Sequence, residues 1–90
     1  MNNTRRNQLD KLNNKLQELY DALSEVKDDI EALKDEEDEA RDNMPESLQE
    51  SERYYNSEEA SSQMEEGIDA LTEALDYIEN AQTNIEDAQA

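Results

Sequence analysis

Apolar residues in the first half of the chain fall at Leu9, Leu12, Leu16, Leu19, Leu23, Val26, Ile30 and Leu33, in alternating steps of three and four. That spacing keeps one stripe turned toward a partner helix over four heptads and predicts a coiled-coil seam. Neither Gly nor Pro interrupts residues 4–44, so one helix over about 4–42 is expected, on the order of 55–60 Å long. A second run follows at Met64, Ile68, Leu71, Leu75, Ile78 and Ile85, with Gln82 filling one slot. Beside it Ala60, Gly67, Ala74, Ala81 and Ala88 recur every seventh residue, a column of small side chains that lets another helix approach closely.

Between the runs, Asp42-Asn43-Met44-Pro45-Glu46-Ser47-Leu48-Gln49-Glu50 is the turn-like segment. Proline ends one helix or opens the next, and Ser47 with Glu50 has capping-box spacing, which places a turn at about 43–47. A second helix is expected over about 51–88. A break near 54–57 is allowed, because residues 51–62 are poor in apolar side chains and Ser57 before Glu58 and Glu59 has the form of a fresh N-cap.

Two long helices joined by a short connection pack as antiparallel neighbours. Facing a positions with d positions pairs Leu9 with Ile85, Leu16 with Ile78, Leu19 with Leu75, Leu23 with Leu71, Val26 with Ile68 and Ile30 with Met64. Each pair of numbers adds to 94, so the register centres on residue 47, inside the turn. The same register sets Leu33 against Ser61, Glu37 against Ser57 and Tyr54 against Ala40, which predicts a looser turn end. The expected fold is therefore all-α: one domain over 1–90, an antiparallel, coiled-coil-like helical hairpin. Tyr20, Ala22, Ala32, Ala70 and Tyr77 lie off this seam and would serve a homodimer in the form of a four-helix bundle, since domains this small often need oligomerisation.

Composition sharpens the picture. The 90 residues carry 26 acids and 8 bases, a formal charge of −18. Such charge with so little Leu, Ile, Val and Phe is a signature of disorder, and the heptads and their common register are what argue for a folded hairpin instead. With no His and no Cys, imidazole and thiolate chemistry are excluded. An open hairpin has no cleft in which to desolvate a carboxylate, so no enzyme activity and no cofactor are expected. Laid on a calcium-loop template from Asp35, the acidic run has Ala40 where a Gly is needed and Pro45 near its end, so no specific metal site is expected. No stretch approaches the roughly 18 apolar residues of a membrane span, nor does the start resemble an export signal; a cytoplasmic protein is expected.

The charge is concentrated around the turn. Residues 28–66 hold sixteen acids and three bases, net −13. Thirteen charges over a hairpin half about 30 Å long give one per roughly 2.3 Å, comparable with one per roughly 1.7 Å along duplex DNA. Like charge at Asp35-Glu36-Glu37-Asp38-Glu39 costs stability, and solubility needs a net charge of only about 2–8. The candidate partner-binding residues are therefore Asp35, Glu36, Asp38, Glu39, Asp42, Glu46, Glu50, Glu52, Glu58 and Glu59, with Tyr54 and Tyr55 as aromatic anchors among them.

Residues 3–6 (Asn-Thr-Arg-Arg), the acidic run through the turn from Asp35 to Arg53, and Met64-Glu65-Glu66-Gly67-Ile68-Asp69 together resemble a group of short acidic helical proteins encoded by phages and mobile elements of gut bacteria. By charge and size the chain is also similar to the acidic DNA-mimic inhibitors that phages deploy against restriction and CRISPR nucleases. That resemblance implies a protein that binds the basic nucleic-acid-binding surface of a defence nuclease or effector in the host cytoplasm, without contacting nucleic acid or membrane itself. The alternative is a homo-oligomeric coiled-coil adaptor or scaffold.

Overall fold

A computed structural model describes residues 1–90 as two long helices folded against each other, with no strand. Helix α1 spans Asn3–Asp42 and helix α2 spans Glu52–Ala88, joined through a single 3-10 turn at Glu46–Leu48. The rod has Cα extents of 70 × 14 × 14 Å. No helix is long and apolar enough to cross a membrane.

Local chemistry sets the ends. Asn2 caps α1, its side-chain oxygen accepting the Arg5 amide at 2.8 Å, which satisfies one of the amides that a helix start leaves open. Arg41 sits in the last turn of α1, where a cation complements the helix dipole. Pro45 follows Asn43 and Met44 outside the helix, and Ser51, not Ser47 or Ser57, caps α2 by accepting from the Tyr54 amide at 3.3 Å. Ser47 is spent inside the 3-10 turn. With Ser51 as cap, α2 runs unbroken through 54–57, and Ser57 becomes an interior, buried residue of the helix.

The helices pack on a different side of α1 from the one its apolar pattern suggests. The seam of α1 is made of half-buried Leu9, Leu16, Leu23 and Ile30 together with Arg6, Asn13, Tyr20, Lys27, Lys34 and Arg41, with Ser24, Glu31, Glu37 and Asp38 half-buried beside them. Leu12, Leu19, Val26 and Leu33 stay 47–55% exposed. On α2 the seam is Ser57, Met64, Leu71, Ile78 and Ile85 with Tyr54, Ser61, Ile68, Leu75 and Gln82. The register moves with the rotation: Asp38 meets Ser61, Lys34 meets Glu65 and Gln17 meets Gln82, partners whose numbers add to 99. Arg41 bonds Ser57, for which they add to 98. The expected 94 is thus replaced by a register four to five residues further on, a little over one helical turn or about 6–8 Å.

The physical reason is that Lys, Arg and Tyr bring long apolar stems as well as polar tips. In the seam those stems lie along the helix interface while the tips reach carboxylates at its edge. Ile68 and Leu75, 6% and 7% exposed, are the apolar residues that become buried. Each is worth about 2 kcal/mol of burial, a small core for a chain of this length.

Candidate partner-binding surface

The turn end is the most tightly tied part of the rod. Arg41 Nη1 donates across the interface to Ser57 O at 3.1 Å, to Ser57 Oγ at 3.3 Å and to Ser61 Oγ at 2.9 Å. Its Nη2 donates to Asp38 Oδ1 at 2.8 Å, and the same carboxylate oxygen accepts the Ser61 hydroxyl at 2.6 Å. Lys34 completes the set, 2.9 Å from Asp38 Oδ2 and 3.8 Å from Glu65. Ser57 and Ser61 are the two buried polar residues of the chain, and both are satisfied by Arg41, as buried hydroxyls require. Hydrogen bonds from Ser61, Lys34 and Arg41 hold the Asp38 carboxyl well below the usual carboxylate range. The same contacts raise Lys34 and Arg41, with Asp38 the first cause in each. The expected looseness at this end is corrected: small serines leave room for a guanidinium where a larger side chain would exclude it.

Of the twelve candidate residues, Asp35, Glu36, Glu39, Asp42, Glu46, Glu50, Glu52, Tyr55, Glu58 and Glu59 are exposed. Asp38 and Tyr54 are not free. Asp38 is half-buried and committed to the network just described, and Tyr54 is a half-buried seam residue. Tyr54 and Tyr55 meet edge to face at 6.1 Å, leaving Tyr55, 55% exposed, as the accessible ring. Asp35 and Asp42 continue a column with Asp21 and Asp28, one acid every seventh residue along the outer side of α1. On α2, Glu52, Glu59, Glu66 and Glu73 form a parallel column. A shallow hollow of about 310 Å³ lies under the turn, walled in part by Glu37, Arg41, Met44, Leu48, Arg53 and Ser57.

Two of the three bases within residues 28–66 turn inward, Lys34 to Asp38 and Glu65, and Arg41 to Asp38 and the serines. Lys27, just beyond, is 3.4 Å from Glu31. The outward surface of this half is accordingly carboxylate with little relief. Farther along the seam Gln17 accepts from Gln82 at 3.1 Å, and Tyr20 has a raised pKa, first from hydrogen bonding to Glu79 and then from that carboxylate's charge.

Charge is also divided by side. Apart from the Arg41 bonds to the serines, the cross-helix polar contacts lie on the edge carrying Gln17, Lys34 and Asp38 of α1 and Glu65 and Gln82 of α2. The opposite edge carries Leu12, Leu19, Val26 and Leu33 on α1, flanked by Lys15, Ala22, Asp29 and Glu36. On α2 it carries Gly67, Ala74 and Ala81, flanked by Gln63, Ala70, Tyr77 and Asn84, without a charged residue on that helix. Comparison with protein-family models, with curated proteins and with solved structures finds no match.

Proposed function

We propose that the chain is an acidic nucleic-acid mimic that occupies the basic nucleic-acid-binding surface of another protein. As a phage or mobile-element product in a host cytoplasm, its target would be a defence nuclease or effector of the restriction or CRISPR kind. The observation that carries the reading is the inward engagement of Lys34 and Arg41. It leaves Asp35, Glu36, Glu39 and Asp42 on α1 and Glu52, Glu58 and Glu59 on α2 exposed around one end of a stiff rod. Carboxylates held on a rigid scaffold stand in for phosphates, and such binding draws on steering and counterion release.

The test is capture of nucleic-acid-binding proteins from a bacterial lysate on the immobilised protein at about 50 and about 300 mM salt, with duplex DNA as competitor. Capture should fall steeply with salt and be reversed by DNA. A variant with Asp35, Glu36, Glu39 and Asp42 changed to Asn or Gln should lose it, with Asp38 left intact because it holds the two helices together. Capture that is insensitive to salt, DNA and these substitutions would sink the proposal. The second reading, a homo-oligomeric coiled-coil scaffold, is favoured by a different observation, the exposed column Leu12, Leu19, Val26 and Leu33.

A further inference from the structure

The apolar side of the rod is an interface, and we infer that its occupant is a second copy of this chain, packed face to face with its turn at the opposite end. Leu12, Leu19, Val26 and Leu33 are spaced by seven and each about half exposed, which makes them a continuous ridge rather than scattered surface leucines. Single exposed apolar residues are ordinary; a contiguous patch is not. Beside the ridge lie Leu9, Leu16, Leu23 and Ile30, only half-buried in the hairpin. Across the seam, α2 offers Leu71, Ile78 and Ile85, also half-buried, and the low ground of Gly67, Ala74 and Ala81. A Cβ built on Gly67 would meet nothing within 4 Å, so its smallness serves no contact inside the hairpin.

Size, charge and core each select the occupant. From Leu9 to Leu33 the face runs about 36 Å and the rod is 14 Å across, roughly 500 Å² in projection. With side-chain relief this approaches the ~800 Å² per partner of a specific dimer. A chain with net charge −18 approaches its own copy most easily where little charge faces the contact, and this side carries none beside Gly67, Ala74 and Ala81 on α2 and only Lys15, Asp29 and Glu36 beside the ridge on α1. Reversing one rod against the other sets the two turn halves, net −13 each, at opposite ends. Finally, a hairpin that buries only Ile68 and Leu75 among its apolar residues has a core too small to stand comfortably alone. Pairing two hairpins would cover the ridge and make a four-helix bundle with most of the acids outside. The inference stands apart from nucleic-acid mimicry, since it rests on the apolar ridge and not on the exposed acids.

Sedimentation of the wild-type chain from about 1 to about 200 µM, with melting followed in parallel, tests it. A particle of twice the chain mass and a melting temperature that climbs with concentration are expected. Leu19→Asp with Val26→Asp should give the single-chain mass. If that variant fails to fold, the wild-type mass and concentration dependence still decide. A pyrene attached at Ser47→Cys should show no excimer emission in the dimer, because the two turns lie at opposite ends. Wild type that sediments as one chain at every concentration, with an unchanging melting temperature, overturns the dimer; strong excimer emission overturns the reversed arrangement.

Discussion

Asp38 of α1 accepts the Ser61 hydroxyl of α2 at 2.6 Å, and the same oxygen accepts from Arg41 at 2.8 Å. The bond crosses the helix interface at a level where no large apolar side chain is present, so polar contacts do there what leucines do farther along. A carboxylate whose pKa is lowered by folding contributes stability above its unfolded value and loses it as pH falls through the folded one. The difference in melting temperature between wild type and Asp38→Asn should therefore be widest near neutrality and close only below pH 3.8, the ordinary value for this group. Lys34 and Arg41, both raised, give a contribution that is fully present below their ordinary values and is lost only as pH rises above those. Thermal melts of both proteins between about pH 2 and pH 9 check this, and a gap that does not depend on pH would contradict it.

Removing the hydroxyl at Ser61 leaves both Asp38 and Arg41 short of a partner. Ser61→Ala should cost about 1 kcal/mol in denaturant unfolding. Glu36→Gln, at an exposed position outside the network, should be neutral or slightly stabilising.

The register is checked by disulfide trapping. Leu16→Cys with Gln82→Cys should close a bond within one chain, because Gln82 already donates to the neighbouring Gln17 at 3.1 Å. Leu16→Cys with Ile78→Cys, the pairing that the apolar pattern suggests, should not close within the chain under the same conditions. Non-reducing electrophoresis at high dilution reads both.

Asn13 occupies a seam position, and its Oδ1 is shielded with no hydrogen-bond partner. A polar residue at such a position trades stability for orientation. Asn13→Leu should raise stability by about 1 kcal/mol, read as a shift of the denaturant midpoint. Gly67, in mid-helix with open space about it, should behave similarly: Gly67→Ala is expected to add up to about 1 kcal/mol.

Repulsion among the exposed acids should respond to screening. Raising NaCl from about 20 to about 300 mM shortens the Debye length severalfold and should raise the melting temperature. A fall over that range would show that ion pairs, not repulsion, dominate the surface.

Much of this architecture was legible in the sequence. Two heptad runs and a lone proline lead directly to two helices folded on a turn, because helix periodicity is local. The packing side was not legible. Leu9, Leu16, Leu23 and Ile30 form an adequate seam either with Leu12, Leu19, Val26 and Leu33 or with Tyr20, Lys27, Lys34 and Arg41, and counting apolar residues selects the first. What decides for the second is tertiary: long stems along the seam, with carboxylates waiting at its edge. A signal was present, since Lys27, Lys34 and Arg41 recur every seventh residue in a stretch otherwise crowded with acids. The partner-binding acids were legible as a cluster, but Asp38 was indistinguishable by type from its neighbours. Only its placement against Ser61 separates a structural carboxylate from an available one.

The hairpin's contacts also differ in how much chain must be brought together to make them. Arg41 reaches Ser57 across 16 residues, whereas Gln17 reaches Gln82 across 65. Loop-closure entropy makes the second contact costlier than the first by about 1.2 kcal/mol when each forms alone. Once the Arg41 clamp is made, each successive layer closes against one already formed, so the hairpin zips from the turn outward and frays from the open end. Backbone amides of the layers beside the clamp, from Ser61 to Ile68, should then exchange slowest with solvent deuterium, and those of both chain ends fastest. The polar clamp thus starts a fold whose apolar layers complete it.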